Sequence, residues 1–392
     1  MQIGSGSIWT VAACGYIHTA AVRNDGTLWA WGYNGNGQVG DGTTTQRTTP
    51  VSVGPAVNWT AVVCGYFHTT GIQNDGTLWG WGYNGTGQLG DGTTTDRLSP
   101  VRSGTADNWA ALACGQSHTT AVQSDGTLWT WGSSANGRRG DGVAMLSANP
   151  VQIDGAVRWT AEASGSNHMA AVRSDGTLWA WGYNFGGQLG EGTVFSRGRP
   201  VQIGSAANWK SVACGANHTE AIQSDGSLWG WGYNSDGQVG NGNYTDRNAP
   251  VQITSGNWAQ VACGYNHTLA IKTDGTLWSW GHNTQGEAGT GSGNQTSYPV
   301  QVGQAENWAA VACGQFFSAA LKRDGTLWAW GYNFSGQLGD GTTTSRSTPV
   351  QIGSATNWSA LACGDAHVIA LKGDSTLWAW GYNGSGQLGD GA

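Results

Sequence analysis

Short apolar runs broken by turn residues pattern the chain from end to end, and nowhere do apolar positions recur at helical spacing. Residues 9–15, WTVAACG, read as a strand of small and β-branched residues. Residues 18–23, HTAAVR, and 27–32, TLWAWG, flank Asn24-Asp25-Gly26, a strong hairpin signal because Gly26 tolerates positive φ and Asp25 caps its own turn. A long Gly/Thr loop follows, then PVSVG at 50–54, where Pro50 suits a sheet edge because it cannot donate to a ladder. Alternation across LWAW puts Trp29 and Trp31 on one face and Leu28 and Ala30 on the other. Such a large face and small face suit sheets stacked radially, each pressing indoles onto the small residues of its neighbour.

This unit recurs. The W-x-W pair begins at Trp29, Trp79, Trp129, Trp179, Trp229, Trp278, Trp328 and Trp378, and a third Trp precedes each pair, accounting for all 24 tryptophans. A period near 50 is that of propeller blades, and nothing like a linker interrupts it. The expected fold is all-β: one domain, residues 1–392, forming a closed β-propeller of eight four-stranded blades. The Ala-Cys-Gly segment is placed innermost, where small residues fit near an axis. The last copy stops at QLGDGA, without its final strand, while the chain starts with Met1-Gln2-Ile3-Gly4, the matching piece. The N-terminal strand is therefore expected to complete the last blade and close the ring.

Composition narrows the function. A net charge of −7 argues against a nucleic-acid partner, which needs a basic footprint. No apolar run approaches the ~20 residues of a membrane span, and the N-terminus has no signal pattern. The expectation is a soluble monomer, cytoplasmic for this chain, with a secreted parent protein as the alternative.

Candidate chemistry dissolves into the repeat. Cys14, Cys64, Cys114, Cys214, Cys263, Cys313 and Cys363 stand one per unit, with Ser164 in the eighth slot, so neither disulfides nor a zinc site is indicated. His18, His68, His118, His168, His218, His267 and His367 follow each Cys-Gly, and unit seven carries Phe317-Ser318 instead. Catalysis would want one His beside a nucleophile and an orienting acid. Equivalent copies read instead as structural histidines, their rings bonded to backbone at a turn. His282, standing where other units carry Tyr, reads as a loop residue. Eight aspartates form hairpin turns, and Asp41, Asp91, Asp141, Glu191, Asp340 and Asp390 fill a G-D-G slot. Each loop offers about one carboxylate, too few for calcium. No catalytic residue, metal or cofactor is expected.

The pattern C-G-x-x-H-T, then D-G-T-L-W-x-W-G, then G-Q-L-G-D-G and a closing Pro-Val resembles the regulator of chromosome condensation repeat, over the entire chain. The resemblance implies a β-propeller, commonly of seven blades, and this chain departs from that with eight copies. It also implies two activities. The family's nucleotide exchange factor for a small GTPase uses a wedge-like insertion and a basic tail. All units here are 49 or 50 residues long and the tail is missing. A plant UV-B photoreceptor carries Trp and Arg in the two places before the repeat His, and none of the eight pairs here contains either.

Those pairs are the variable positions of an otherwise repeated line: Tyr16-Ile17, Tyr66-Phe67, Gln116-Ser117, Ser166-Asn167, Ala216-Asn217, Tyr265-Asn266, Gln315-Phe316 and Asp365-Ala366. A contact ring at the channel mouth, aromatic-rich in units one, two, six and seven, is the candidate site. Its residues are Tyr16, Ile17, Tyr66, Phe67, Tyr265, Asn266, Gln315, Phe316 and Asp365, and a partner is expected to cover an arc centred near unit eight. The expected function is a non-enzymatic recognition scaffold for a protein partner. A glycan-binding lectin and an exchange factor acting through loops are the alternatives.

Overall fold

The protein, described by a computed structural model for residues 1–4, 6–55, 58–155 and 157–392, is an eight-bladed β-propeller. Among the described residues the one helical element is the 3-10 turn Ala135–Gly137. Blade 1 holds β2 (Trp9–Cys14), β3 (His18–Arg23), β4 (Leu28–Gly32) and β5 (Arg47–Ser52), hydrogen-bonded in that order. Residues 59–102, 109–152, 159–202, 209–254, 258–301 and 308–351 repeat this order as blades 2 to 7. Contacts gather the chain into two compact units, residues 1–158 with 367–392, and residues 159–366.

The hairpin turns form as their sequence dictates. Gly26 lies at φ 77°, and Asp25 Oδ1 accepts from the Thr27 amide at 2.9 Å. Thr27 Oγ1 in turn accepts from Trp29 Nε1 at 2.9 Å, tying the turn to the indole beside it.

Packing between blades follows the large-face, small-face scheme. In the first unit, Trp81 of blade 2 lies in a core with Ala20, Val22, Leu28, Ala30, Val39 and Val53 of blade 1. Trp81 Nε1 donates to the Gln38 carbonyl at 3.0 Å, so the indole is both buried and satisfied. Gly40, at φ 80°, makes room: a Cβ there would sit 2.7 Å from the Trp81 ring. In the second unit, Trp231 meets Ala170, Val172, Leu178, Ala180 and Leu189 in the same way. The two indoles of the W-x-W pair are not equivalent in blades 1 to 7, although in the last blade both Trp378 and Trp380 are partly buried. Trp31, Trp81 and Trp231 are fully buried, whereas Trp29, Trp79 and Trp229 are only half-buried. The half-buried indole lies beside the hairpin turn, where a side chain of the second strand covers it. In blade 1 that is Arg23, whose guanidinium carbon lies 3.7 Å from the Trp29 ring centroid.

Within each unit the first strands of consecutive blades lie against one another, as Trp159–Ser164 does against Trp209–Cys214, which puts the Ala-Cys segment innermost. The N-terminal seam is also as expected. β1 (Gln2–Ile3) pairs antiparallel with Leu377–Gly381, Gln2 facing Trp378 and Ile3 facing Leu377. The Met1 ammonium donates to the Ala379 carbonyl at 2.9 Å, and Ile3 is buried. Deleting residues 1–4 strips a buried Ile and unpairs an edge strand, and should lower the melting temperature by about 1 °C per kcal/mol lost. An unchanged calorimetric melt would show that the seam contributes nothing.

Candidate functional site

Each variable pair sits at the tip of a turn whose geometry is set by the two residues that frame it. In blade 1 the Gly15 amide donates to the His18 carbonyl at 2.9 Å, closing a turn with Tyr16 and Ile17 at its apex. The His18 ring folds back beneath the turn, and a Cβ on Gly15 would sit 2.4 Å from its Cε1. Glycine is required there, which is why the motif reads G-x-x-H.

The histidines join blades. His18 Nε2 lies 2.8 Å from Thr69 Oγ1 of blade 2, and that hydroxyl donates to the Gln38 carbonyl at 2.8 Å. A hydroxyl has one proton to give, so Thr69 accepts from His18, and the imidazole carries its hydrogen on Nε2. His68 with Thr119, His168 with Thr219, His218 with Thr268 and His267 with Ser318 repeat the bond at 2.9–3.1 Å. The ring partner is thus a neighbouring hydroxyl, not the backbone expected from sequence, because the second strand of the next blade presents its Thr at that height. Nδ1 of His18, His68, His168, His218, His267 and His367 is buried without a partner. Burial accordingly holds His18 and His218 down to about 3 and His68, His168, His267 and His367 down to about 4. Phe317 fills the same niche against Gly314, which explains its tolerance. These rings are neutral fasteners, not acid–base groups.

The cysteines are equally inert. Burial pushes Cys214 and Cys363 up to about 12 and raises the Cys64 thiol as well, so these three remain thiols at neutral pH. Among the described residues no group of three or more His, Cys, Asp or Glu could hold a metal ion.

The acids of the G-D-G slot do more than turn the chain. Asp41 Oδ2 takes Arg47 Nε at 2.5 Å and Oδ1 takes Asn34 Nδ2 at 3.1 Å, and Asp91 repeats both with Arg97 and Asn84. In blade 3, Ser147 stands where blades 1, 2, 4, 5 and 7 have the Arg, and Asp141 is paired from inside by Arg139 at 2.5 Å. The pairing was legible as a recurrent D-x5-R spacing that the sequence reading passed over.

The structure brings the nine candidate residues into two clusters. In the first unit, Tyr16 stacks on Tyr66 with centroids 4.6 Å apart and planes at 1°, Phe67 meets both edge-on at 6.1 Å, and Tyr33 meets Phe67 at 6.3 Å. Ile17 lies in the Tyr16 turn, its carbonyl accepting from the Tyr33 amide at 2.9 Å. Tyr16 is 39% exposed despite this stacking. In the second unit, Tyr265 approaches Phe316 at 6.2 Å, and Asn266 Nδ2 donates to Asp236 at 2.9 Å. The turns themselves are linked there: the Gln315 amide donates to the Asp365 carbonyl at 3.2 Å, and the Ala216 amide to the Tyr265 carbonyl at 3.2 Å.

One member of this second cluster went unrecognised in the sequence. His282 packs on Phe316 at 5.8 Å, and its Nδ1 is bonded to Glu287, whose carboxylate is fully buried. That bond raises His282 above its ordinary value, while burial, which would raise Glu287, is outweighed by His282 and its neighbours, leaving Glu287 below its own. The signal was a coordinated departure: blade 6 alone exchanges the usual Tyr and Gln of this loop for His and Glu together.

The sequence profile of the RCC1-like domain matches residues 163–392, and profiles of the regulator of chromosome condensation (RCC1) repeat match 25–72 and 75–122. Human WBSCR16 shares the fold at a TM-score of 0.71 and 23% identity, over 88% of this chain and 98% of that one. Prp20p of Saccharomyces cerevisiae does so at 0.68 and 20%, over 93% and 91%. A probable E3 ubiquitin-protein ligase of Mus musculus, HERC4, is 47% identical over 49 residues, which span 12% of this chain and 5% of that protein. With its repeat motif recurring through all eight blades and more than half its length matched by one profile, the chain belongs to the RCC1-like domain family.

Proposed function

We propose that the protein is a non-enzymatic recognition scaffold that engages a protein partner through the turn tips between the first and second strands of its blades. The observation that carries this reading is the placement of stacked, partly exposed aromatic rings at the variable positions of an otherwise repeated turn. Gly15 and His18 make the turn, so nothing in folding calls for Tyr16 on Tyr66. Preformed aromatic clusters with little conformational freedom are the usual anchors of protein interfaces. Prp20p, of the same fold, binds Gsp1p and histones, which supports protein as the class of partner. Among the described residues no helix is long and apolar enough to cross a membrane.

Affinity capture with the wild-type chain and with a Tyr16→Ser/Tyr66→Ser/Phe316→Ser variant tests the reading, near-UV circular dichroism confirming that both are folded. A protein retained by the first and lost from the second is expected. A glycan that binds on an array with the same dependence on these residues, and no protein that does, would overturn it in favour of a lectin.

A further inference from the structure

Resting on that scaffold reading, we propose that the cluster on blades 6 and 7 is a docking site for an arginine side chain of the partner, held between aromatic faces and carboxylates. Three rings converge there, Tyr265 and His282 both meeting Phe316, at 6.2 and 5.8 Å. Tyr265 is 43% exposed, and Phe334, 68% exposed, lies 4.9 Å from Tyr332, whose amide donates to the Phe316 carbonyl. These are open ring faces, to which a flat cation is drawn by the ring quadrupole.

One carboxylate, of Asp236, meets the cluster through Asn266, the neighbour of Tyr265. A second acidic residue, Asp365, adjoins it on the Phe316 side, joined through its carbonyl to Gln315. The charge of the surrounding loops agrees. In the second unit the turns and third-to-fourth-strand loops hold six acids (Glu191, Asp236, Asp246, Glu287, Asp340, Asp365) against three arginines (Arg197, Arg247, Arg346), a formal −3 with His282 neutral and −2 with it charged. The equivalent segments of the first unit hold five acids (Asp41, Asp91, Asp96, Asp141, Asp390) against four arginines (Arg47, Arg97, Arg138, Arg139), a formal −1. The greater acidity accompanies the cluster in which Asp236 is bonded to the side chain next to Tyr265. His282 does not cancel the field, because the buried Glu287 carboxylate already neutralises it.

Arginine fits better than lysine. Its guanidinium is planar, is weakly hydrated, stacks on aromatic faces and can donate sideways to a carboxylate at the same time. A lysine ammonium, compact and strongly hydrated, would use the charge and not the stacking.

The test uses the full chain and fluorescein-labelled Gly-Arg-Gly-Arg-Gly, with lysine and glutamate versions of the peptide, read by anisotropy at low salt. The arginine peptide should bind, the lysine peptide more weakly and the glutamate peptide not at all. Phe316→Ala, and separately Asp236→Asn with Asp365→Asn, should weaken arginine-peptide binding by about tenfold. The isosteric Asp→Asn pair guards against a folding defect, and Met145→Ala, exposed in a blade 3 loop outside both clusters, should leave binding unchanged. No binding of the arginine peptide, equal binding of the glutamate peptide, or affinity indifferent to Phe316 and both aspartates would overturn the proposal. A captured protein that depends on Tyr16 and Tyr66 but not on these residues would overturn it as well, while leaving the scaffold reading intact.

Discussion

Acidification to about pH 5 is expected to unfold the protein cooperatively. The seven repeat histidines are held by burial to about 3 or 4 in the fold, against 6.5 in an unfolded chain. The unfolded state therefore binds protons that the native state refuses, so stability is complete above pH 6.5 and is lost as pH falls toward the folded values. At pH 5 each ring favours unfolding by roughly 1.5 pH units, or ~2 kcal/mol at ~1.36 kcal/mol per unit. Seven rings together give ~14 kcal/mol, as large as the whole stability of a typical domain at ~5–15 kcal/mol. Glu220 opposes the trend, since burial raises its carboxyl well above the ordinary range, but it is one group against seven. The turn aspartates, held below their usual value chiefly by hydrogen bonds from the Thr two residues on, matter only at lower pH. Far-UV dichroism followed from neutrality downward checks this, and His68→Phe, copying the natural Phe317, should move the midpoint to lower pH. Native signal persisting to about pH 4 would mean that the histidines do not control acid stability.

Trp31→Ala should cost ~3–5 kcal/mol, the range for truncating a large, fully buried aromatic. The lost Nε1 bond to the Gln387 carbonyl adds little, because the Thr19 hydroxyl still donates to that carbonyl at 2.8 Å. Trp29→Ala should cost less, because that indole is only partly buried in the fold and its neighbour Arg23 can settle over the gap. Tyr16→Ala, at an exposed tip, should fall within ~1 kcal/mol of wild type. Urea melts of the three variants rank them. Equal losses for Trp31 and Trp29 would contradict the graded burial.

Most of this architecture could be read from residues alone, because the repeat acts as its own alignment. Eight W-x-W pairs at one spacing identify eight blades, Asp-Gly at one offset identifies the hairpins, and the mismatch of the two chain ends identifies the seam. Reading failed where a residue's role depends on another blade. The hydroxyl that meets His18 lies 51 residues away, at Thr69, and no local pattern announces it. The inequality of Trp29 and Trp31 was hidden for the same reason, since strand alternation assigns a face but not a depth beneath the neighbour. Glu220 stands where other copies carry Ala, Thr, Leu or Ile. Its accommodation is visible only across the strand, at Gly230, where a Cβ would lie 2.6 Å from the carboxyl oxygen. The candidate residues proved legible as positions, and the variable pairs do occupy turn tips. Their grouping into two clusters, one neutral in its own side chains and one bordered by acidic residues, needed coordinates.

The His–Thr fasteners also bear on the order in which the chain assembles. A bond such as His18–Thr69 or His168–Thr219 spans 51 residues, and every strand pair inside blades 1 to 7 spans fewer, so each new blade can dock on the last with a modest loop-closure entropy. The contacts between the first blade and the last are different in kind: Thr19 with His367 spans 348 residues, the Trp31 indole with the Gln387 carbonyl 356, and the Met1 ammonium with the Ala379 carbonyl 378. Growth by accretion from neighbour to neighbour therefore suffices for most of the molecule, as in linear repeat arrays. The late, slow event is the meeting of the first blade with the last, secured by a two-residue strand, by one imidazole and by the Trp31 indole and Thr19 hydroxyl that both donate to the Gln387 carbonyl.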